Sequence, residues 1–295
     1  MGSVAFKRDI VVESEHAEER TYRRGEFDMR MVINRSHLHM RIMDYRSGNY
    51  EQKCALLDAM AREEGLRKVF TVVEKQDSNS WRSAGFVREA VFPSFFRTAD
   101  AYMMSRIYGP DGQPEQVSAL KSSTDEQTKF PGRKLRKPDA LTLDSVTSER
   151  ERGEIQEQGG LALRTLPFSR VRPPELAVRG RARKVKPTFV CAEVDDSFAH
   201  AMIGFSPVPD SEPSMVLCAY AGNLLISQVL EREIATVFAV SPLDDRWSNE
   251  LLSGLGFKVT GRLLSHLRVD DPRDGGAPEF TNALLWHRRI APKKQ

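Results

Sequence analysis

Cysteine is scarce in this chain of 295 residues: Cys54, Cys191 and Cys218 stand far apart, with no CxxC pair. That spacing excludes a disulfide framework and a zinc site, and it leads us to expect a reducing, cytoplasmic compartment. Cys191 and Cys218 lie in apolar runs and read as small buried hydrophobes. Also lacking is an apolar run near the ~18–20 residues of a spanning helix, so no membrane partner is expected. The N-terminus carries Lys7, Arg8 and Asp9 and no apolar core segment, so a signal peptide is not expected. Charge of one sign is missing too. The 44 basic and 41 acidic residues leave a net +3, which argues against a dedicated nucleic-acid binder. No Ser-His-Asp order, P-loop or dinucleotide fingerprint is visible. What is present is a 40% apolar fraction, enough to bury a core in one or two domains.

Patterning divides the chain into 1–109, 110–160 and 161–295. In the first unit Asp28–Ile33 and His37–Met43 alternate as strands. Tyr50–Glu64 places Cys54, Leu57 and Met60 at helical spacing, and Gly65 closes that helix. Val69–Val73 is a buried strand, followed by a short helix to Gly85 and strands at Phe86–Val91 and Ala101–Ile107. Residues 110–160 are charged and Gly/Pro-punctuated, and read as a disordered linker with a helical turn near Ser148–Gln156. In the third segment, strands are expected at Leu161–Leu166, Thr188–Val194, Ala199–Phe205 and Ser214–Ala221. Asn223 then caps a helix over Leu224–Glu233. A strand at Ala235–Val240, a helix at Asp244–Leu255 stopped by Gly256, and strands at Phe257–Val269 and Glu279–His287 complete it. Both units end as strand, helix, Gly-Phe (Gly85-Phe86, Gly256-Phe257), strand, loop, strand. This reads as a diverged internal duplication or two fused relatives.

That ending is typical of the GNAT fold. The stretch from Gly85-Phe86 through Pro93-Ser94-Phe95-Phe96 to Asp100-Ala101-Tyr102-Met103-Met104-Ser105-Arg106 resembles the N-terminal domain of the beta-lysine N-acetyltransferase family. The run from Ser241 through Asn249, Gly256-Phe257, Gly261-Arg262-Leu263-Leu264 and Asn282 to Trp286 is similar to that family's ending. The resemblance implies an α/β chain: a GNAT-like mixed sheet flanked by helices, preceded by a smaller half-GNAT-like domain. It implies acetyl transfer from acetyl-CoA to the amine of a small amino acid such as beta-lysine.

Acyl transfer to an amine needs a phosphate cradle, a base, oxyanion donors and an acid. The resemblance puts the cradle at Ala221-Gly222-Asn223, where one glycine remains and the family's basic residue is absent. The same segment also reads as a tight strand-to-helix turn with an Asn cap. The family's two strand carboxylates would fall on Ser214-Met215-Val216-Leu217 and are missing. Glu193, with Asp195 and Asp196, is the replacement candidate for the base; the alternative is an acidic turn. Asn249 matches the helix Asn placed near the thioester, or is a surface residue. Leu252 stands where many GNAT enzymes have a Tyr acid. The basic run Arg179, Arg181, Arg183, Lys184 and Lys186 reads as a solvated surface, or as a landing site for coenzyme A phosphates. His37 and His39 share one strand face and read as a solvent-facing pair or part of a metal site. The losses support an alternative to the enzyme: a catalytically degenerate GNAT-fold protein that binds a metabolite, or a protein partner through the linker.

Overall fold

Val69 and Phe70 are chain neighbours that lie in different cores, as do Val237 and Phe238. Successive strand residues point to opposite faces, so a strand that is apolar on both must be covered on both. The architecture follows from that requirement. The computed structural model describes residues 9–13, 17–35, 37–96, 99–116, 136–158, 174–269 and 277–291.

The first half comprises β1 (Asp9–Glu13), β2 (Ala17–Arg24), β3 (Phe27–Asn34), β4 (His39–Asp44), α1 (Tyr50–Glu63), β5 (Lys68–Val73), α2 (Lys75–Ser83), β6 (Val87–Phe92) and β7 (Ala101–Ile107). The second comprises β8 (Thr142–Ser145), α3 (Glu149–Gln158), β9 (Leu176–Ala182), β10 (Val185–Asp195), β11 (His200–Ser206), α4 (Glu212–Glu231), β12 (Thr236–Pro242), α5 (Arg246–Gly254), β13 (Lys258–Arg268) and β14 (Phe280–Arg289). All fourteen strands form one mixed sheet in the order β1-β2-β3-β4-β5-β7-β6-β13-β14-β12-β11-β10-β9-β8. Among the described residues, only β4–β5 and β11–β12 pair in parallel.

Read outward from the β6–β13 junction, the two halves have the same strand order. The match extends to single residues. Leu38 and Ala199, just before β4 and β11, have φ of 51° and 55°. Gly85 and Gly256 have φ of 92° and 80°, a left-handed conformation that suits glycine at a helix exit. Each is followed by a Phe whose N–H bonds back into the helix, Phe86 to Trp81 and Phe257 to Leu252, at 3.0 Å in both. Five residues beyond those glycines stand Ala90 and Gly261, which pair with one another where the halves meet. The duplication is therefore a pseudo-two-fold arrangement with its axis at the Ala90–Gly261 contact.

Helices α1 and α2 cover the outer face of the first half, around Met31, Ile42, Leu57 and Trp81. Helices α4 and α5 cover the outer face of the second, around Ile203, Val237, Leu225 and Trp286. The inner faces close on each other: Phe70, Phe92, Phe95 and Met103 share a core with Met202, Phe238 and Leu285, and Ile155 of α3 joins them. A mixed sheet flanked by helices is the architecture that the sequence resemblance leads one to expect.

Several expectations need correction. The first half carries two further strands, β1 and β2, and the stretch read as a linker holds β8 and α3. The expected strand Leu161–Leu166 lies outside the described residues. The basic run is β9 and the start of β10: the Arg179 guanidinium lies over the Phe189 ring and pairs with Glu151, and Arg181 pairs with Asp144. The expected strand at Ala199–Phe205 is present as β11, but the one expected at Ser214–Ala221 is not a strand. That segment belongs to α4. Helix α4 is also long and apolar enough to span a membrane by length and composition, but it packs against the sheet and α5.

Candidate functional site

The correction to α4 relocates the proposed cofactor cradle. Ala221, Gly222 and Asn223 sit mid-helix, not at a strand-to-helix turn. Gly222 is buried, and a Cβ there would approach Leu255 Cδ1 to 3.1 Å, so its small size serves close packing of α4 on the end of α5. Asn223 is exposed and its carbonyl accepts a hydrogen bond from Ser227 Oγ at 3.1 Å. The turn that enters α4 is Pro207-Val208-Pro209-Asp210-Ser211, after a cis Ser206–Pro207 bond.

Two features of that entry bear on anions. First, the parallel β11–β12 ladder ends at Ile203–Ala239, while β11 continues to Ser206 and β12 to Pro242, so the strands part beside the helix entry. Second, the helix entry is closed by its own side chains. Ser214 Oγ accepts from the Asp210 and Ser211 N–H groups at 3.1 and 3.0 Å. The Asp210 carboxylate accepts from Ser211 Oγ and Ser214 Oγ, both at 3.1 Å. The Ser214 and Ser211 hydroxyls hold the Asp210 carboxyl below its ordinary range. Glu212 adds a second carboxyl in the first turn, and a proline occupies N1 or N2. Acidic groups are stabilised at a helix N-terminus and compete there with any bound anion.

Asn249 is 1% exposed, not a surface residue. Its Oδ1 accepts from Ser241 Oγ at 2.6 Å, and Ser241 Oγ accepts from Trp286 Nε1 at 2.7 Å. Its Nδ2 donates to the Leu243 carbonyl at 2.9 Å and the Pro242 carbonyl at 3.4 Å. Both ends of the amide are thus engaged in fixing the β12–α5 turn. Asn249→Leu strands these partners, so it should cost roughly 1–3 kcal/mol of folding stability for each buried group left unpaired. Urea denaturation measures it; an unchanged midpoint would show that the network is idle. Leu252 is a buried residue of α5 itself, with no polar group to offer.

The inner face gathers what charge the halves share. Glu193 and Asp195 alternate with Val194 on β10 and face inward with Cys191. Arg41 of β4, in the other half, is buried; burial pushes its guanidinium down to about 10, against the pull of Glu193 and Asp195. His200 lies opposite Asp195 on β11. Burial pushes its imidazole down to about 4, opposed by Asp195 and by a hydrogen bond to the Phe95 backbone. The His200 ring stacks on Phe95 of the first half at 4.2 Å, and Phe95, Phe96 and Phe198 pack around one another. Glu193 is therefore brought near a guanidinium from the opposite half, while Asn249 lies in the separate β12–α5 turn. Arg41 and His200 were not singled out from sequence; a charged residue inside an otherwise apolar strand, Met40-Arg41-Ile42, was the available signal for the first.

His37 and His39 are buried, not solvent-facing. Among the described residues, no group of three or more His, Cys, Asp or Glu could hold a metal ion.

No family model and no curated protein matches the chain. Among solved structures it is similar to the ribosomal-protein-S18-alanine N-acetyltransferase from Escherichia coli, at 16% identity over 52% of this chain and 98% of that one, with a TM-score of 0.36. The GNAT superfamily phosphinothricin acetyltransferase from Sinorhizobium meliloti matches at 13% identity over 51% and 88%, with a TM-score of 0.36. The aminoglycoside 6'-N-acetyltransferase from Enterococcus faecium matches at 14% over 52% and 99%, with a TM-score of 0.35. These are likenesses of fold, and no residue role passes from them to this chain.

Proposed function

We propose that this chain is a GNAT-derived binding protein that has given up acetyl transfer. One observation carries the reading: the N-terminus of α4, beside the parted strands β11 and β12, holds Asp210 and is bracketed by two serines, three prolines and Glu212. No glycine stands in that turn, and the nearby Lys186 already has the Asp210 carboxylate to face, so the residues are a poor fit to a pyrophosphate in the second half. What remains is the buried charge cluster on the inner face. A buried guanidinium (Arg41) near two carboxylates (Glu193 and Asp195) complements a small zwitterion of the amino-acid class.

A second reading is favoured by the first half. There the segment entering α1 is Arg46-Ser47-Gly48-Asn49; Gly48 has φ of 97° and nothing within 4 Å of a built Cβ. If the cofactor is held anywhere, that turn suits it better than the Asp210 turn.

Calorimetry of the full-length protein with acetyl-CoA separates the readings. We expect no heat at millimolar cofactor. Micromolar binding that survives in the Arg46→Glu variant would overturn the proposal, because the second half would then be binding. Binding abolished by Arg46→Glu would establish the second reading.

A further inference from the structure

Where the two halves meet, three imidazoles form a column. His39 on β4 of the first half stacks on His266 on β13 of the second, with centroids 4.8 Å apart and planes 15° apart. His37 stacks on His39 from the same half at 5.6 Å and 10°. Phe70 meets both His39 and His266 edge-on, at 5.5 and 5.8 Å. All three histidines are buried, and the His37 Nδ1 accepts the Arg268 N–H at 3.0 Å. His39 Nε2 and His266 Nδ1 have no hydrogen-bond partner among the described residues.

We propose that this column is a proton-operated latch: the halves part along the β6–β13 seam when it takes up charge, and each half keeps its own outer core.

Among the described residues, the charges that act on His39 and His266 are positive. Lys68 of β5 faces it, and the carboxylate beside Lys68, Glu89 of β6, is already engaged by Lys68 Nζ at 2.6 Å and by the Leu264 N–H at 3.1 Å. Arg41, two residues on along β4, and Arg268, two residues on along β13, add positive charge on their own strands. Burial is the first cause holding the His39 and His266 imidazoles well below their ordinary value; next come His37 for His39 and Lys68 for His266. The sign follows. Stability of the closed seam is complete above the ordinary imidazole pKa of about 6.5 and is lost as pH falls below it, because the open state binds protons that the closed state excludes. Each such imidazole shifts the open-to-closed ratio about tenfold per pH unit, and two shift it about a hundredfold. His200, stacked on Phe95 across the same interface, adds to the slope.

Opening costs less than unfolding because the outer cores are separate. Trp81 lies in the first-half core behind α1 and α2, and Trp286 and Trp247 belong to the second-half core behind α4 and α5. These are the three tryptophans of the chain, and none lies on the inner face.

The test is small-angle scattering of the full chain from pH 7.5 to 4.5, with tryptophan emission recorded in parallel. We expect the radius of gyration to rise below about pH 6 with the emission unmoved, because the ordinary imidazole value is about 6.5. His266→Phe should lower the midpoint and reduce the slope about tenfold per pH unit. If that variant does not fold, the wild-type titration still decides. No expansion by pH 4.5, expansion in step with a red-shifted emission, or an unchanged slope in a folded variant would each overturn the latch.

Discussion

Gly261→Val should split the sheet. A Cβ at Gly261 would lie 2.2 Å from Ala90 Cβ, 2.5 Å from Ala90 Cα and 2.8 Å from the Glu89 carbonyl oxygen. Two of those three atoms are backbone, so no side-chain rotation relieves the contact. Ala90–Gly261 is the register pair between the halves, and the strands cannot separate there without disturbing the inner core behind them. Overpacking typically costs 1–3 kcal/mol, and a backbone-to-backbone collision should reach about 3 kcal/mol or more. Gly254→Ala is the control: nothing lies within 4 Å of a Cβ there, and the residue is helical, so stability should hold or rise by up to about 1 kcal/mol. Adding Ala90→Gly to Gly261→Ala removes the 2.2 Å clash but not the 2.5 Å approach, and should rescue only in part. Denaturant midpoints for the set decide it. A Gly261→Val protein as stable as wild type would mean that the halves do not meet as described.

The Gly-Phe pairs that mark this seam were legible from sequence, because a helix exit needs a left-handed glycine and the next residue starts a buried strand. The stretch from Val69 to Val73 was legible for a different reason: it is short and rich in β-branched and aromatic residues, which separate a buried strand from a buried helix. Helix α4 was not. Residues Met215 to Ala219 are buried almost all round, between the sheet and α5, and a segment buried on every side loses the periodicity that separates helix from strand. Strand β9 was hidden by its own basic residues: Arg181, Arg183, Lys184 and Lys186 are exposed, as a solvated run would be, and only Arg179 turns onto the Phe189 ring and Glu151. The site fared worse than the fold. Glu193 and Asn249 were found as residue types, yet their surroundings depend on distant strands. His266 gained meaning only once β13 lay against β4. No local pattern announces a neighbour supplied by the other half of a duplicated chain.

Lys68→Met should be among the most destabilising single changes in the protein. Lys68 and Glu89 have side chains 0% and 1% exposed, and removing one member of such a pair typically costs 3–5 kcal/mol, because the other charge is left buried alone. The usual corollary is that removing both is nearly harmless. Here it should fail. Lys68 Nζ also donates to the Leu264 carbonyl at 2.9 Å, and Glu89 Oε1 accepts the Leu264 N–H at 3.1 Å. Leu264 lies in the irregular stretch of β13 between Leu263 and Leu267, where the ladder to β14 shifts register. The ion pair therefore stands in for the missing strand partner. In Lys68→Met/Glu89→Leu both Leu264 groups lose their partners, at roughly 1–3 kcal/mol each. The double variant should recover part of the single-variant loss and still fall about 2 kcal/mol or more below wild type. Full recovery in a denaturation cycle would place the value of the pair in its charges alone. Partial recovery would place it in the bulge that carries His266 to the column.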